Sequence, residues 1–314
     1  MNPLSTIYSG IVSARNGLYE RGMLRARRLQ GGVISVGNLS TGGAGKTPFV
    51  ILLGELLKAR GIPFDVLSRG YGRATRGVLL VDPSGSALEF GDEPLLIARR
   101  LQVPVIVGED RYRAGSFAES KFGPQIHLLD DGFQHRALAR DFDIVLVTPQ
   151  DADDRLLPAG RLREPVSALR RADAIVFTAA APPGLFYQFG KPIWRAHRNI
   201  VPQNVPTQQV VFCGIARPQN FALQLRLSGI QPLAEAFFRD HHRYTPKNIQ
   251  DLLQLKQRSG AEGFVTTEKD AINLGEKLSL LQPVAVVPLQ MHLDDAANAV
   301  DTMLRTVNER KRTA

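Results

Sequence analysis

The chain runs to 314 residues with 44% hydrophobic composition, enough to bury a full core and more readily two domains than one. Its single cysteine, Cys213, excludes an internal disulfide framework and fits a reducing compartment. With 39 Lys and Arg against 30 Asp and Glu the net charge is +9, so the expected partner is anionic: a nucleotide, a phosphorylated substrate, a nucleic acid or an acidic membrane surface.

Residues 1–30 predict an N-terminal amphipathic helix. Leu4, Ile7, Tyr8, Ile11, Val12, Leu18, Tyr19 and Met23 recur on a helical stripe, and Arg15, Arg21, Arg25, Arg27 and Arg28 gather towards its end. The segment is too polar to span a bilayer and lacks the small-residue cleavage site of a signal peptide. Two readings fit equally: a helix lying on anionic lipid, or an ordinary amphipathic helix packed on the core.

Residues 33–47, VISVGNLSTGGAGKT, pass from a β-branched run into a glycine-rich turn and then a helical pattern, the layout of a phosphate-binding loop. Gly42, Gly43 and Gly45 let the backbone turn its N–H groups inward, so that Ser40, Thr41, Gly42, Gly43, Ala44, Gly45, Lys46 and Thr47 make the predicted nucleotide cradle. Lys46 would neutralise the β- and γ-phosphates and Thr47 would ligate Mg²⁺. Ser40 stands where such loops ordinarily begin with glycine.

Strand signals then alternate with helical stretches: Phe64 to Leu67, Val78 to Val81, Val103 to Val107, Ile126 to Leu129, Phe142 to Val147 and Ala174 to Phe177. The expected architecture is a doubly wound, mainly parallel sheet of the P-loop NTPase type over residues 31–185, with ligands at the carboxyl ends of the strands. Polar motifs fall there. Asp130 and Asp131, closing an apolar strand in DDGFQHR, suit a Mg²⁺ site facing Thr47. Asp92 of GDEP could be a helix N-cap. Arg69, Arg73 and Arg111 could hold a phosphorylated substrate or the transferring phosphoryl group. Tyr71, Gln134 and His135, in the same SRGYGR and DDGFQHR motifs, complete the substrate-binding set.

The run Leu156 to Pro165 reads as a loop. Pro and Gly thicken from Pro182 onward, and residues 186–212 carry the best linker signal in the chain. Beyond it, a strand at Gln209 to Cys213, helices at Pro218 to Leu227 and Pro246 to Arg258, and a strand at Gly263 to Thr266 predict a smaller α/β domain over residues 213–314.

The ordered co-occurrence of SVGNLSTGGAGKTP, SRGYGR, GDEP, LDDGFQHR, LLPAGRLREP, FFRDHHRY and TTEKDA across nearly the whole chain resembles the tetraacyldisaccharide 4′-kinase family, the lipid A 4′-kinases of Gram-negative bacteria. Ser40 is itself a feature of that family. The resemblance implies ATP- and Mg²⁺-dependent phosphorylation of the 4′-hydroxyl of an acylated glucosamine disaccharide 1-phosphate, giving lipid IV-A, at the cytoplasmic face of the inner membrane. It implies that Asp92 is the base and His241 its partner, with His242 the less favoured alternative. Lys46 joins them as a catalytic residue. Asp130, Asp131 and Glu93 become the Mg²⁺ candidates beside Thr47, and Arg163 and Glu164 resemble family nucleotide contacts. Since Asp92 and His241 lie in different expected domains, catalysis should require closure of a cleft.

Two other classes compete. Partition and nitrogenase-iron-protein ATPases share TGGAGKT, but their loop begins with a lysine where this chain has Thr41. A nucleic-acid-binding module rests on net charge alone, without a helix-turn-helix, zinc or aromatic RNA-binding motif, so no nucleic acid is expected.

Overall fold

The computed structural model describes residues 3–179 and 182–313. Helix α1 (Pro3–Glu20) precedes β1 (Val33–Asn38), α2 (Lys46–Ala59), β2 (Phe64–Ser68), β3 (Leu79–Leu80), α3 (Ala87–Phe90), α4 (Asp92–Leu101), β4 (Val105–Val107), α5 (Arg111–Phe122), β5 (Ile126–Asp130), β6 (Phe142–Val147), β7 (Ala174–Phe177) and β8 (Ile193–Ile200). Then come β9 (Gln209–Cys213), α6 (Pro218–Leu227), β10 (Ala234–Phe237), α7 (Pro246–Ser259), β11 (Gly263–Thr267), α8 (Glu268–Leu274), β12 (Val284–Val287), β13 (Leu289–Leu293) and α9 (Ala296–Arg312).

The strands form a nine-stranded sheet in the order β13-β8-β7-β6-β1-β5-β2-β4-β3 and a four-stranded sheet in the order β10-β9-β11-β12. The larger sheet is parallel except at its two edges, where β3 runs against β4 and β13 against β8. Its inner strands are buried on both faces, which is why they read as unbroken apolar runs rather than as alternation. The period of two is still at work beneath. Ile34, Val36, Val66, Leu128 and Ile144 pack in one core with Phe49, Leu53 and Leu57 of α2 and Leu95 of α4. Val33, Leu67, Ile106 and Leu129 pack in another with Ala114 and Ala118 of α5.

Local chemistry sets the helix starts that matter for the site. Gly45 and Gly91 precede α2 and α4 with φ of 91° and 92°. A Cβ at Gly91 would lie 3.0 Å from the Tyr71 carbonyl oxygen, so both backbone conformation and space require glycine there. Helix α4 carries Asp92 and Glu93 in its first turn and Arg99 and Arg100 in its last, matching the macrodipole. Thr267 caps α8 by accepting from the Asp270 N–H, which fixes the helix that faces α4.

Three expectations are corrected. Residues 186–212 hold β8, a strand of the large sheet paired with β7 and β13, and are therefore not a linker. The prolines around β8 masked it, and its sequence IWRAHRNI buries little besides Ala196. The stretch 213–314 is likewise not one unit, because β13 returns to the large sheet and α9 packs Val300, Met303 and Val307 into the α2 and α4 core. Finally, α1 ends at Glu20, so the following arginines are not on its face. Arg27 pairs with Asp110 at 2.5 Å and Arg28 with Asp141 at 3.2 Å. No helix among the described residues is long and apolar enough to cross a membrane.

The chain carries one tryptophan, Trp194 on β8, which stacks on Phe142 with ring centroids 5.9 Å apart. Met303→Ala should leave a cavity against the α2 core and cost about 2–4 kcal/mol. In urea titrations the Trp194 fluorescence transition should move to lower denaturant. An unmoved transition would place α9 outside the cooperative unit of the large sheet.

Candidate active site

The glycine loop and the acidic end of β5 meet because β5 is the parallel neighbour of β1, with Asp130 in register with Val36. Asn38, at the end of β1, is the hub. Its side-chain amide donates to the Ser40 carbonyl at 2.7 Å, while its side-chain oxygen accepts from Lys46 Nζ at 3.0 Å and from Arg163. Arg163 also donates twice to Asp131, at 2.8 and 2.9 Å. Lys46 lies 3.5 Å from the same carboxylate. Burial works against the charge on Asp131, but Lys46, Arg163 and Arg111 outweigh it and hold the carboxyl well below its usual range. Asp131 adopts φ of 52°, an uncommon conformation for a side-chain-bearing residue.

Asp130 is in the opposite state. Burial, with Glu93 and Asp131 nearby, raises its carboxyl to about 7 against the opposing effects of Lys46 and a hydrogen bond from Ser68. Oδ2 accepts from Ser68 at 3.1 Å, whereas Oδ1 is buried with no hydrogen-bond partner. A carboxyl so short of positive charge fits a cation. Among the described residues no three His, Cys, Asp or Glu side chains converge as a metal cage.

Asp92 and His241, 149 residues apart, are brought together. His241 Nδ1 lies 2.9 and 3.0 Å from the two Asp92 oxygens, and Asn273 donates to Oδ2 at 3.0 Å. Asp92 is only 4% exposed. Burial would raise its carboxyl, yet the His241 hydrogen bond, the Lys269 charge and Asn273 together hold it below the ordinary value. Lys269 underlies the group: Nζ is 3.1 Å from Asp240, 3.4 Å from Glu93, 3.8 Å from Asp92 and 3.3 Å from His241 Nε2. With Nδ1–H given to Asp92, a neutral His241 presents its Nε2 lone pair to the Lys269 ammonium. Burial and the Lys269 charge oppose protonation of His241, but Asp92 and Glu93 prevail and its net shift is upward. His241 adopts φ of 56°. Tyr71 lies over it with ring centroids 5.2 Å apart.

Glu93 links the two clusters, since it faces Lys269 on one side and raises Asp130 on the other. Around the far rim, Arg111 is buried and donates to the Gly108 and Glu109 carbonyls, and it feels Asp130, Asp131 and the exposed Arg69. His135 is lowered to about 4 by burial and then by Arg111, so it stays neutral with a buried, unpartnered Nε2. Gln134 donates to the Asn38 carbonyl at 3.0 Å. Arg73 is tied to Glu109 at 2.7 Å and to the Gly77 carbonyl.

One expected nucleotide contact lies elsewhere. Glu164 has 0% exposure and accepts from Asn16 of α1 and from Arg171, each at 2.7 Å. Its enclosed carboxylate ties α1 to Arg171, whereas the neighbouring Arg163 side chain reaches Asp131 and Asn38. Lys269 and Asn273 were not singled out from sequence. The available signal was TTEKDA, whose spacing says nothing about what Lys269 meets.

The opposed shifts define a pH window. Asp92 is lowered from 3.8, so its contribution to stability is present above that value and is lost as pH falls through the lowered one. His241 is raised from 6.5, so its contribution is full below that value and is lost as pH rises through the raised one. The stability difference between wild type and His241→Gln should therefore be greatest between about pH 4 and 6.5 and shrink above. Chemical denaturation across pH checks this, and a difference that grows at alkaline pH would contradict the pairing.

A family model described as tetraacyldisaccharide-1-P 4′-kinase matches residues 1–308. The tetraacyldisaccharide 4′-kinase of Koribacter versatilis (strain Ellin345) is 49% identical over 321 residues, covering 99% of this chain and 100% of that protein. The enzyme of the same name from Aquifex aeolicus (strain VF5) is 39% identical, covering 87% of this chain and 88% of its own. The crystal structure of LpxK from Aquifex aeolicus in complex with ATP aligns with a TM-score of 0.79 and 36% identity over 97% of each chain. A match over nearly the whole length, on a chain whose glycine loop, acidic strand end and Asp92–His241 pair share one face, means that this protein belongs to the tetraacyldisaccharide 4′-kinase family.

Proposed function

We propose that the protein transfers the γ-phosphoryl group of ATP to the 4′-hydroxyl of a tetraacyldisaccharide 1-phosphate, giving lipid IV-A. The observation that carries the residue assignment is the Asp92–His241 contact, linked through Lys269 and Glu93 to the phosphate-loop side of the site. Ala44, Gly45 and their neighbours bind the phosphates through backbone N–H groups, and Lys46 neutralises the charge that develops on them. Asp130, Asp131 and Thr47 would hold Mg²⁺, with Glu93 beside them; bound there, the ion would offset charge on the β- and γ-phosphate oxygens.

The acceptor oxygen attacks the γ-phosphorus as the bond to the bridging β–γ oxygen breaks, and the hydroxyl proton passes to Asp92. A carboxylate of low proton affinity suffices, because phosphoryl transfer is loose and the hydroxyl becomes acidic only as its oxygen bonds phosphorus. His241 holds the carboxylate in place through Nδ1–H. Asp92 is 4% exposed beneath His241, so the acceptor reaches it only as the segment carrying His241 shifts enough to open a path beside the pair, which makes that movement part of the cycle. Arg69, Tyr71, Arg111, Gln134 and His135 line the remaining rim as contacts for the phosphorylated disaccharide.

Helix α1 supplies the membrane contact. Ile7 and Ile11 are 60% and 64% exposed on one side, whereas Val12 on the other is 6% exposed. Tyr8 donates to the Arg163 carbonyl at 3.0 Å, so the inward side is seated on the loop that runs beside the glycine loop. The exposed side fits an anionic bilayer surface at the cytoplasmic face of the inner membrane. Ile7→Ser with Ile11→Ser should release the protein from anionic vesicles in co-sedimentation while leaving ATP affinity unchanged; Val12 belongs to the packed side and is left intact. Retained sedimentation would place the lipid contact elsewhere.

The activity is tested with purified protein, γ-labelled ATP and the disaccharide 1-phosphate in detergent, the product resolved by mass. Lys46→Ala should lower kcat by about 10²–10³, the usual loss when one fixed donor to developing charge is removed. Asp92→Ala and His241→Ala should each depress kcat strongly, and the double variant should lose little beyond the worse single one. Near-normal turnover in a folded Lys46→Ala protein would refute the loop assignment, and additive losses would refute the dyad.

A further inference from the structure

Two guanidinium groups that the reaction scheme leaves unused lie against the glycine loop. Arg198 comes from β8 of the large sheet and Arg217 from the turn between β9 and α6 of the small one. Arg198 donates to the Gly43 carbonyl at 3.1 Å and to the Ala44 carbonyl. Its guanidinium fills the space a Cβ on Gly45 would need, at 2.6 Å, and the Arg217 side chain fills that of Gly43, at 2.9 Å. Because each peptide is planar, carbonyls drawn towards Arg198 aim the N–H groups of Ala44 and Gly45 the other way, into the hollow of the loop. Arg198 thus sets the cradle from behind.

The electrostatics of this pair are unbalanced. Among the described residues, neither arginine has a carboxylate within ion-pairing distance. Arg198 Nε and one terminal nitrogen of Arg217 are buried without a hydrogen-bond partner. Burial and the Arg217 charge push the Arg198 guanidinium down to about 10. Two like charges held together without a counter-charge on a phosphate-binding loop are unfavourable unless an anion joins them.

We propose that Arg198 and Arg217 are nucleotide-recognition residues, a guanidinium pair whose missing counter-charge is the polyphosphate of ATP. Arg198 is the positioning member, acting through the loop peptides, and Arg217 offers its free N–H groups to the phosphates directly. The two residues belong to different sheets, so the bound polyphosphate becomes a bridge between them. Asp270 supports the second arm: it accepts from the Gly214 N–H at 2.7 Å and from Tyr244 at 2.8 Å, fixing the turn that carries Arg217.

This inference rests on the ATP site proposed above, and the test separates the two. Calorimetric titrations of wild type, Lys46→Ala, Arg217→Ala, Arg217→Lys and Arg198→Ala with ATP, ADP and adenosine are compared at two salt concentrations. Arg217→Ala should weaken ATP about 10- to 100-fold, the loss expected for one charge-assisted contact, with a smaller loss for ADP and none for adenosine. Its ATP affinity should also depend less on salt, and Arg217→Lys should recover part of the loss. Arg198→Ala should weaken ATP and ADP alike, since it acts on the loop. Wild-type protein that fails to bind ATP, or binds it without dependence on Lys46, would overturn the ATP site itself. Lys46-dependent binding with Arg217→Ala within twofold of wild type, or with equal losses for ATP and adenosine, would overturn the guanidinium pair alone. Arg217 is partly exposed on a turn, so its variants keep the test valid if Arg198→Ala fails to fold.

Discussion

The site depends on keeping one carboxylate charged while it is buried. Asp92 sits at the start of α4, and its solvation is replaced by groups from the other sheet: His241 after β10, and Lys269 and Asn273 on α8. Removal of any of these would leave charge exposed to a medium of low dielectric, where an uncompensated carboxylate is far more costly than in water. The same contacts that give Asp92 its protonation state therefore hold α4 against α8. Arg100 of α4 adds to them by donating to both Glu268 oxygens at 2.9 and 3.0 Å.

From Asp92 the charges continue as a connected strip. Lys269 is shared by Asp92, Glu93 and Asp240, Glu93 raises Asp130, and Asp131 is held charged by Lys46 and Arg163. Adjacent residues in the sequence are thereby placed in opposite electrostatic states: Asp131 is a firm carboxylate and Asp130 an underpaired one. This division suits a phosphoryl-transfer site, which needs fixed positive charge around the phosphates and a place where an added cation is welcome.

Helix α1 has two unlike sides. Its inward side is tied by Tyr8 and Asn16 to Arg163 and Glu164, consecutive residues of the loop beside the nucleotide cradle. Its outward side carries Ile7 and Ile11. A helix seated on lipid through the second set would hold the nucleotide loop at a fixed orientation to the bilayer through the first, which is the geometry an enzyme acting on an embedded acceptor requires.

Much of this was legible in the sequence because it was local. The glycine loop, the apolar strands of the large sheet, helix α6 and the strand at Gln209 to Cys213 follow from turn chemistry and from patterns a few residues long. The ordered motifs pointed to the family, and through it to Asp92 and His241. What the tertiary structure alone decided is where distant segments return. Strand β8 was hidden because prolines flank a half-exposed strand, and β13 and α9 rejoin the large sheet across the whole of the small one, a choice set by which apolar faces remain to be covered. Glu164 is adjacent to Arg163 in the chain, yet its carboxylate is enclosed with Asn16 and Arg171 while Arg163 reaches Asp131 and Asn38. Lys269, Arg198 and Arg217 are ordinary basic residues in the sequence. Their roles come from the carboxylates, or the lack of them, that the fold sets around each, because the energy of a charge depends on its neighbours in space and not on its neighbours in the chain.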